Sequence, residues 1–131
     1  MKKVYIAGAI SRDRHYKEKF AYAAKVLQGR DKDYAILNPA ALPDGMTPQD
    51  YMQLCTQMLF AADMVAFLPD WSDSEGAGIE FRLCTYIKKD IIVLPWSLFN
   101  APCSHCGEYE PIYLMRDGRC KYCAPEEVDD V

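Results

Sequence analysis

No apolar run in this chain of 131 residues approaches the roughly 18 residues of a membrane-spanning helix, and none is expected to cross a bilayer. The run at residues 4–10 is too short, and too broken by Gly8, to read as a secretory signal, so the expected location is cytoplasmic. Positive charge is also short. Fifteen Lys and Arg stand against nineteen Asp and Glu, a net −4, which disfavours bulk nucleic acid as a partner while leaving room for an anionic small molecule held by helix N-termini. The first glycine loop, YIAGAISRDR, lacks the G-x-G-x-x-G spacing of a dinucleotide fingerprint, which argues against an NAD site. The six cysteines do not read as a disulfide scaffold, because four sit at metal-ligand spacing and two, Cys55 and Cys84, fall inside helical patterns.

What is present is a soluble globular balance, 50% hydrophobic and 26% charged, long enough for one ordinary core and a small appendage. Residues 3–7 (KVYIA) form a β-branched and aromatic run ending at Gly8, and Tyr16, Phe20, Ala23 and Leu27 then recur at helical spacing. Asp13 is placed to cap that helix and Gly29 to end it. Residues 34–37 read as a second strand, stopped by Asn38-Pro39. Thr47 as N-cap and Pro48 at the first helical position then open a helix with the stripe Tyr51, Leu54/Cys55, Met58/Leu59 and Ala62. Residues 64–68 and 91–94 supply third and fourth strands, with a helix through Ile79, Leu83 and Tyr86/Ile87 between them.

This alternation predicts an α/β fold, a small doubly wound Rossmann- or flavodoxin-like parallel sheet of about four strands in the order 2-1-3-4. Ligands in such sheets bind beyond the C-terminal strand ends where the order reverses, here between the first and third strands. The loops meeting there are residues 8–14 and 68–74. The second leads through Trp71 and Ser74 to Gly76, Ala77 and Gly78, and then to Glu80 near the start of a helix, where the macrodipole favours an ionised carboxylate. Two glycines in a helix's first turns each cost around 1 kcal/mol relative to Ala, and a ligand needing room explains that cost. The competing reading makes Ser72 and Glu75 a capping box and leaves Glu80 on a solvated face.

The α/β domain is expected over residues 1–96, a linker over 97–102, a zinc-ribbon-like segment over 103–123 and an acidic tail over 124–131. Cys103-x-x-Cys106 and Cys120-x-x-Cys123, separated by thirteen residues, place four thiolates around one tetrahedral zinc. With no position left open, that zinc is read as structural.

The motifs YIAGAIS, LNPA, Tyr51-Met52, AAD at residues 61–63, LPDW and S-x-G-A-x-x-E together resemble the nucleoside 2-deoxyribosyltransferase-like superfamily, in particular its small uncharacterised bacterial and phage branch. The resemblance covers residues 3–94 and none of the zinc segment. It implies cleavage of an N-glycosidic bond, or (deoxy)ribosyl transfer, on a nucleoside or nucleoside 5′-monophosphate, with Glu80 attacking C1′ and Asp63 as the second candidate catalytic residue. By the same resemblance Tyr5, Gly8 and Ala9 border the base, Ser74 with Gly76 and Ala77 holds a 5′-phosphate, Asn38 and Trp71 complete the substrate site, and the chain forms a homo-oligomer. One departure stands out: Cys55 occupies a position where the family pattern has Asp. The alternative function is therefore a catalytically inactive nucleotide-binding module whose zinc ribbon contacts a partner. A phosphoribohydrolase of the cytokinin-activating type is disfavoured, because its P-G-G-x-G-T-x-x-E loop is absent.

Overall fold

A computed structural model describes residues 1–124. The chain divides into two compact units, Met1–Leu94 and Pro95–Val131. In the first, β1 (Lys2–Ala7), α1 (Tyr16–Arg30), β2 (Tyr34–Leu37), α2 (Pro48–Ala61), β3 (Met64–Phe67), α3 (Glu75–Ile87) and β4 (Asp90–Val93) alternate along the chain. The strands form one parallel sheet in the order β2-β1-β3-β4, as the crossover rules predict. Register is set by the buried pattern: Tyr5 lies beside Leu37 and Val65, and Ala7 beside Phe67.

Alternate side chains of β1 and β3 serve opposite faces of the sheet. Tyr5, Ala7, Val65 and Phe67 pack with Cys55 and Leu59 of α2 and Cys84 of α3 in one core cluster. Phe20, Ala23 and Leu27 of α1 are fully buried, and α1 lies against β1 and β2. Side chains the size of Phe20 and Leu27 contribute about 1.5–3 kcal/mol each when buried. The helices start where local chemistry dictates. Thr47 and Asp50 make a reciprocal capping box ahead of Pro48. Ser74 caps α3 by accepting from the Ala77 amide, so the helix begins at Glu75 and Ser72 falls in the short 3-10 turn before it. The Ser72–Glu75 capping box is thus replaced by a Ser74 cap. Asp13 does not cap α1, whose N-cap is His15, and Gly29 lies inside that helix, which runs to Arg30.

In the second unit, β5 (Asn100–Pro102) and β6 (Tyr109–Pro111) pair antiparallel. The stretch 97–102, expected as a linker, therefore contains a strand, three residues long and too short to show an alternating pattern. Cys103 and Cys106 follow β5. A bridge between Arg116 and Arg119, closed by Asp117 and Gly118 at φ 51° and 75°, leads into Cys120. Residues 125–131, with the expected acidic tail, lie outside the described residues. Among those described, no helix is long and apolar enough to cross a membrane.

Candidate active site and metal centre

Tyr5 and Glu80, 75 positions apart in sequence, meet inside the first unit: the Tyr5 hydroxyl donates to Glu80 Oε2 at 2.5 Å. Tyr5 is on the core face of β1 with 1% exposure, and Glu80, in the second turn of α3, has 7%. Ala77 and Cys84 share that inward stripe of α3 at spacings of three and four, which carries Glu80 onto the sheet. Burial pushes the Glu80 carboxyl from 4.5 up to about 7, against the opposing pull of the Tyr5 hydrogen bond. Burial, followed by the Glu80 charge, raises the Tyr5 phenol well above 10, so it remains a proton donor at neutral pH. No other hydrogen bond reaches the carboxylate among the described residues, and no fully buried side-chain oxygen lacks a partner there. Glu80 as a whole keeps 7% of its surface exposed, and the Tyr5 hydrogen bond engages Oε2 alone. A carboxyl poised near neutrality with one oxygen tethered by Tyr5 can act as a nucleophile or exchange a proton.

Cys55 of α2 belongs to the same cluster with 7% exposure; burial raises its thiol, opposed by the Tyr5 hydroxyl and reinforced by the Glu80 charge. It is a neutral neighbour of the pair. Cys84, one turn beyond Glu80, is pushed up to about 11 by burial and by the Glu80 charge.

The remaining residues singled out in the sequence separate into groups. Gly8 and Ala9 leave the C-terminal end of β1, and a Cβ on Gly8 would lie 2.6–2.9 Å from the Leu68 side chain, so packing accounts for this glycine. Gly76 faces Met52 of α2, whose Cε stands 3.6 Å from the place of a Cβ, and a Cβ at Gly78 would meet nothing within 4 Å. Asn38 caps a short turn after β2, accepting from the Ala40 amide. Trp71 stacks on Phe81 at 4.2 Å and 9°, which occupies one face of the indole. Asp63 is not brought to Glu80. It precedes β3 at the strand's N-terminal end, its carboxylate accepts from the Lys3 amide at 2.8 Å, and its side chain is 47% exposed. The Lys3 amide, against an opposing desolvation and with smaller help from the Lys3 and Lys89 charges, lowers its pKa, the behaviour of an ionised surface group.

Sequence reasoning missed Lys19, which is 4% exposed and donates to Ala9 O, Asp13 and Asp70. A signal existed: Lys19, Ala23 and Leu27 repeat at intervals of four, placing a cation on the buried stripe of α1.

Residues 2–93 match a protein family described as Domain of unknown function (DUF4406). The chain belongs to this family. Among solved structures, this DUF4406 chain is similar to a 2-desoxiribosyltransferase from Leishmania mexicana at 16% identity, with a TM-score of 0.58 over 92% of this chain and 77% of that one. At that identity the two share a fold. No curated protein matches the chain.

In the second unit the Sγ atoms of Cys103, Cys106, Cys120 and Cys123 all lie within 4.8 Å of one another. Cys106 and Cys120 Sγ are 3.8 Å apart, close to the roughly 3.8 Å between thiolates that tetrahedral bonds of about 2.3 Å would give. The His105 and Cys120 amides point at Cys103 Sγ, at 3.4 and 3.3 Å, which favours a thiolate there. The four can bind a metal ion, and His105 contributes its backbone amide to the knuckle.

Proposed function

We propose that this DUF4406 chain cleaves the N-glycosidic bond of a nucleoside or nucleoside 5′-monophosphate, or transfers its (deoxy)ribosyl group, through Glu80. The observation that carries the reading is the buried Tyr5–Glu80 pair, with its carboxyl near neutrality and Tyr5 bonded to one of its two oxygens. The shared fold with a deoxyribosyltransferase supports it. In the proposed step Glu80 Oε1 bonds to C1′ while the C1′–N bond breaks and its electron pair leaves with the base, which takes up a proton from solvent. The developing positive charge at C1′ is what a close carboxylate stabilises. Tyr5 holds Oε2 and keeps the carboxylate aimed. Water or a second base then attacks C1′, the C1′–Oε1 bond breaks, the nucleophile's proton passes to solvent, and Glu80 returns as the carboxylate. Ser74 and the first amides of α3 are the proposed phosphate subsite.

Incubation with the common 2′-deoxynucleosides, ribonucleosides and their 5′-monophosphates should release free base from at least one, and Glu80→Gln should abolish release while retaining ligand binding. Release from none by the wild type overturns the reading.

One observation favours a second reading, a nucleotide-binding module without turnover. Cys55, the neighbour of Tyr5 and Glu80, is a neutral thiol where the resembling enzymes carry an acid for sugar binding and leaving-group protonation. Calorimetric binding of a nucleotide with no base release selects this alternative. In either case the four cysteines are proposed to hold a structural zinc, which ties β5, β6 and the hairpin at Arg116 and Arg119 into a unit that its few buried apolar residues do not stabilise alone.

A further inference from the structure

Lys19 and Glu80 are the two buried charged side chains among the described residues. Glu80 has its place in the proposed chemistry; Lys19 has none yet. It sits on the stripe of α1 that buries Phe20, Ala23 and Leu27, where an apolar residue would pack without the cost of desolvating an ammonium. Its Nζ donates instead to three oxygens, Ala9 O at 2.7 Å, Asp13 Oδ2 at 2.6 Å and Asp70 Oδ2 at 2.5 Å. The second oxygen of Asp70 accepts from the Ala9 amide at 3.1 Å. Ala9 and Asp13 belong to the loop leaving β1, and Asp70 to the loop leaving β3. One buried ammonium therefore closes the two loops across the strand pair where the sheet order reverses. Both carboxylates remain more than a quarter exposed, so the arrangement spends a buried cation on fixing loops more than on filling core.

We propose that Lys19 is a positioning residue, a latch that makes the loops after β1 and β3 one rigid unit and so fixes Ser74 and the start of α3, four residues beyond Asp70, against the Tyr5 strand. Its catalytic consequence rests on the reading of Glu80 as nucleophile; the latch itself does not. The alternative is that Lys19 merely stabilises α1, in which case its loss lowers the melting temperature and leaves the two loops independent.

The test uses Lys19→Met, which keeps the stem and removes the ammonium, and the triple variant Lys19→Met/Asp13→Asn/Asp70→Asn, which also removes the stranded carboxylates and keeps an acceptor for the Ala9 amide. Residue-resolved hydrogen exchange reads both loops. The amide of Asp13 and those of Trp71 and Asp73 should exchange at least tenfold faster together, in both variants, while the Leu68 and Leu94 amides, which bond across the sheet, remain as in wild type. Unchanged exchange in either loop overturns the latch. With the best nucleoside or monophosphate found for the wild type, kcat for base release should fall at least tenfold with its pH midpoint near 7 unmoved. Loosened loops with wild-type kcat overturn the positioning role. If the wild type releases no base, the nucleophile reading fails, and the exchange experiment still decides the latch.

Discussion

Replacing Glu80 by Gln isolates the cost of ionising a buried carboxylate. The amide keeps the side chain's shape and its carbonyl still accepts from Tyr5, so what disappears is the charge alone. Glu80 titrates at about 7 in the folded chain against an ordinary 4.5, a difference of about 2.5 units. At about 1.4 kcal/mol per unit this is on the order of 3 kcal/mol. The folded state holds the proton more tightly than the unfolded chain does. The stability linked to Glu80 is therefore fully present below about pH 4.5, falls as pH rises, and is lost once pH passes about 7. The assay is urea unfolding of wild type and Glu80→Gln between pH 4.5 and 8.5, both carrying Trp96→Phe so that Trp71, in the first unit, reports alone. The variant should match wild type at the acid end and exceed it by up to about 3 kcal/mol at the alkaline end. Taking the difference between the two cancels the groups that do not feel Glu80, and Tyr5, Cys55 and Cys84, which do, are all raised above this range. A difference that stays flat across the range would falsify the assignment of a near-neutral pKa to Glu80. The same ionisation sets the direction for catalysis, since attack at C1′ requires the carboxylate: base release should rise with pH and reach half its maximum near 7.

Gly8→Ala should lower stability by about 1–3 kcal/mol, because its Cβ meets a Leu68 side chain that is itself fully buried; an unchanged urea midpoint refutes this. Ser74→Ala removes the cap on the Ala77 amide and should cost about 1 kcal/mol. It should also weaken monophosphate binding roughly tenfold and leave nucleoside binding nearly unchanged, since a charge-assisted hydrogen bond contributes about 1.5–3 kcal/mol. Equal loss for both ligands assigns Ser74 to capping alone. Elemental analysis should find one zinc per chain, and chelation should unfold the cysteine unit while the helical far-ultraviolet signal of the sheet unit persists; a metal-free protein with that unit ordered refutes the structural zinc.

The sequence by itself determined what depends on neighbours along the chain. Periodicity and turn residues marked four strands and three helices, Thr47-Pro48 marked a helix start, and the spacing of four cysteines brought the thiols within metal-binding range. The sheet order followed as well, because right-handed crossovers leave few ways to lay alternating strands side by side. Only the tertiary structure decided what depends on strands meeting. Glu80 owes its raised pKa to burial beside Tyr5, 75 residues away, and Gly8 owes its missing side chain to Leu68 across the strand pair. Asp63, one residue before the same buried strand that leads to Asp70, ends at the opposite end of the sheet because a strand separates its two termini by its own length. Lys19 reads as one more surface lysine until the loops of two different strands close over it, since Asp70, 51 residues away, joins a carboxylate and a carbonyl of the loop preceding α1 to make its burial tolerable.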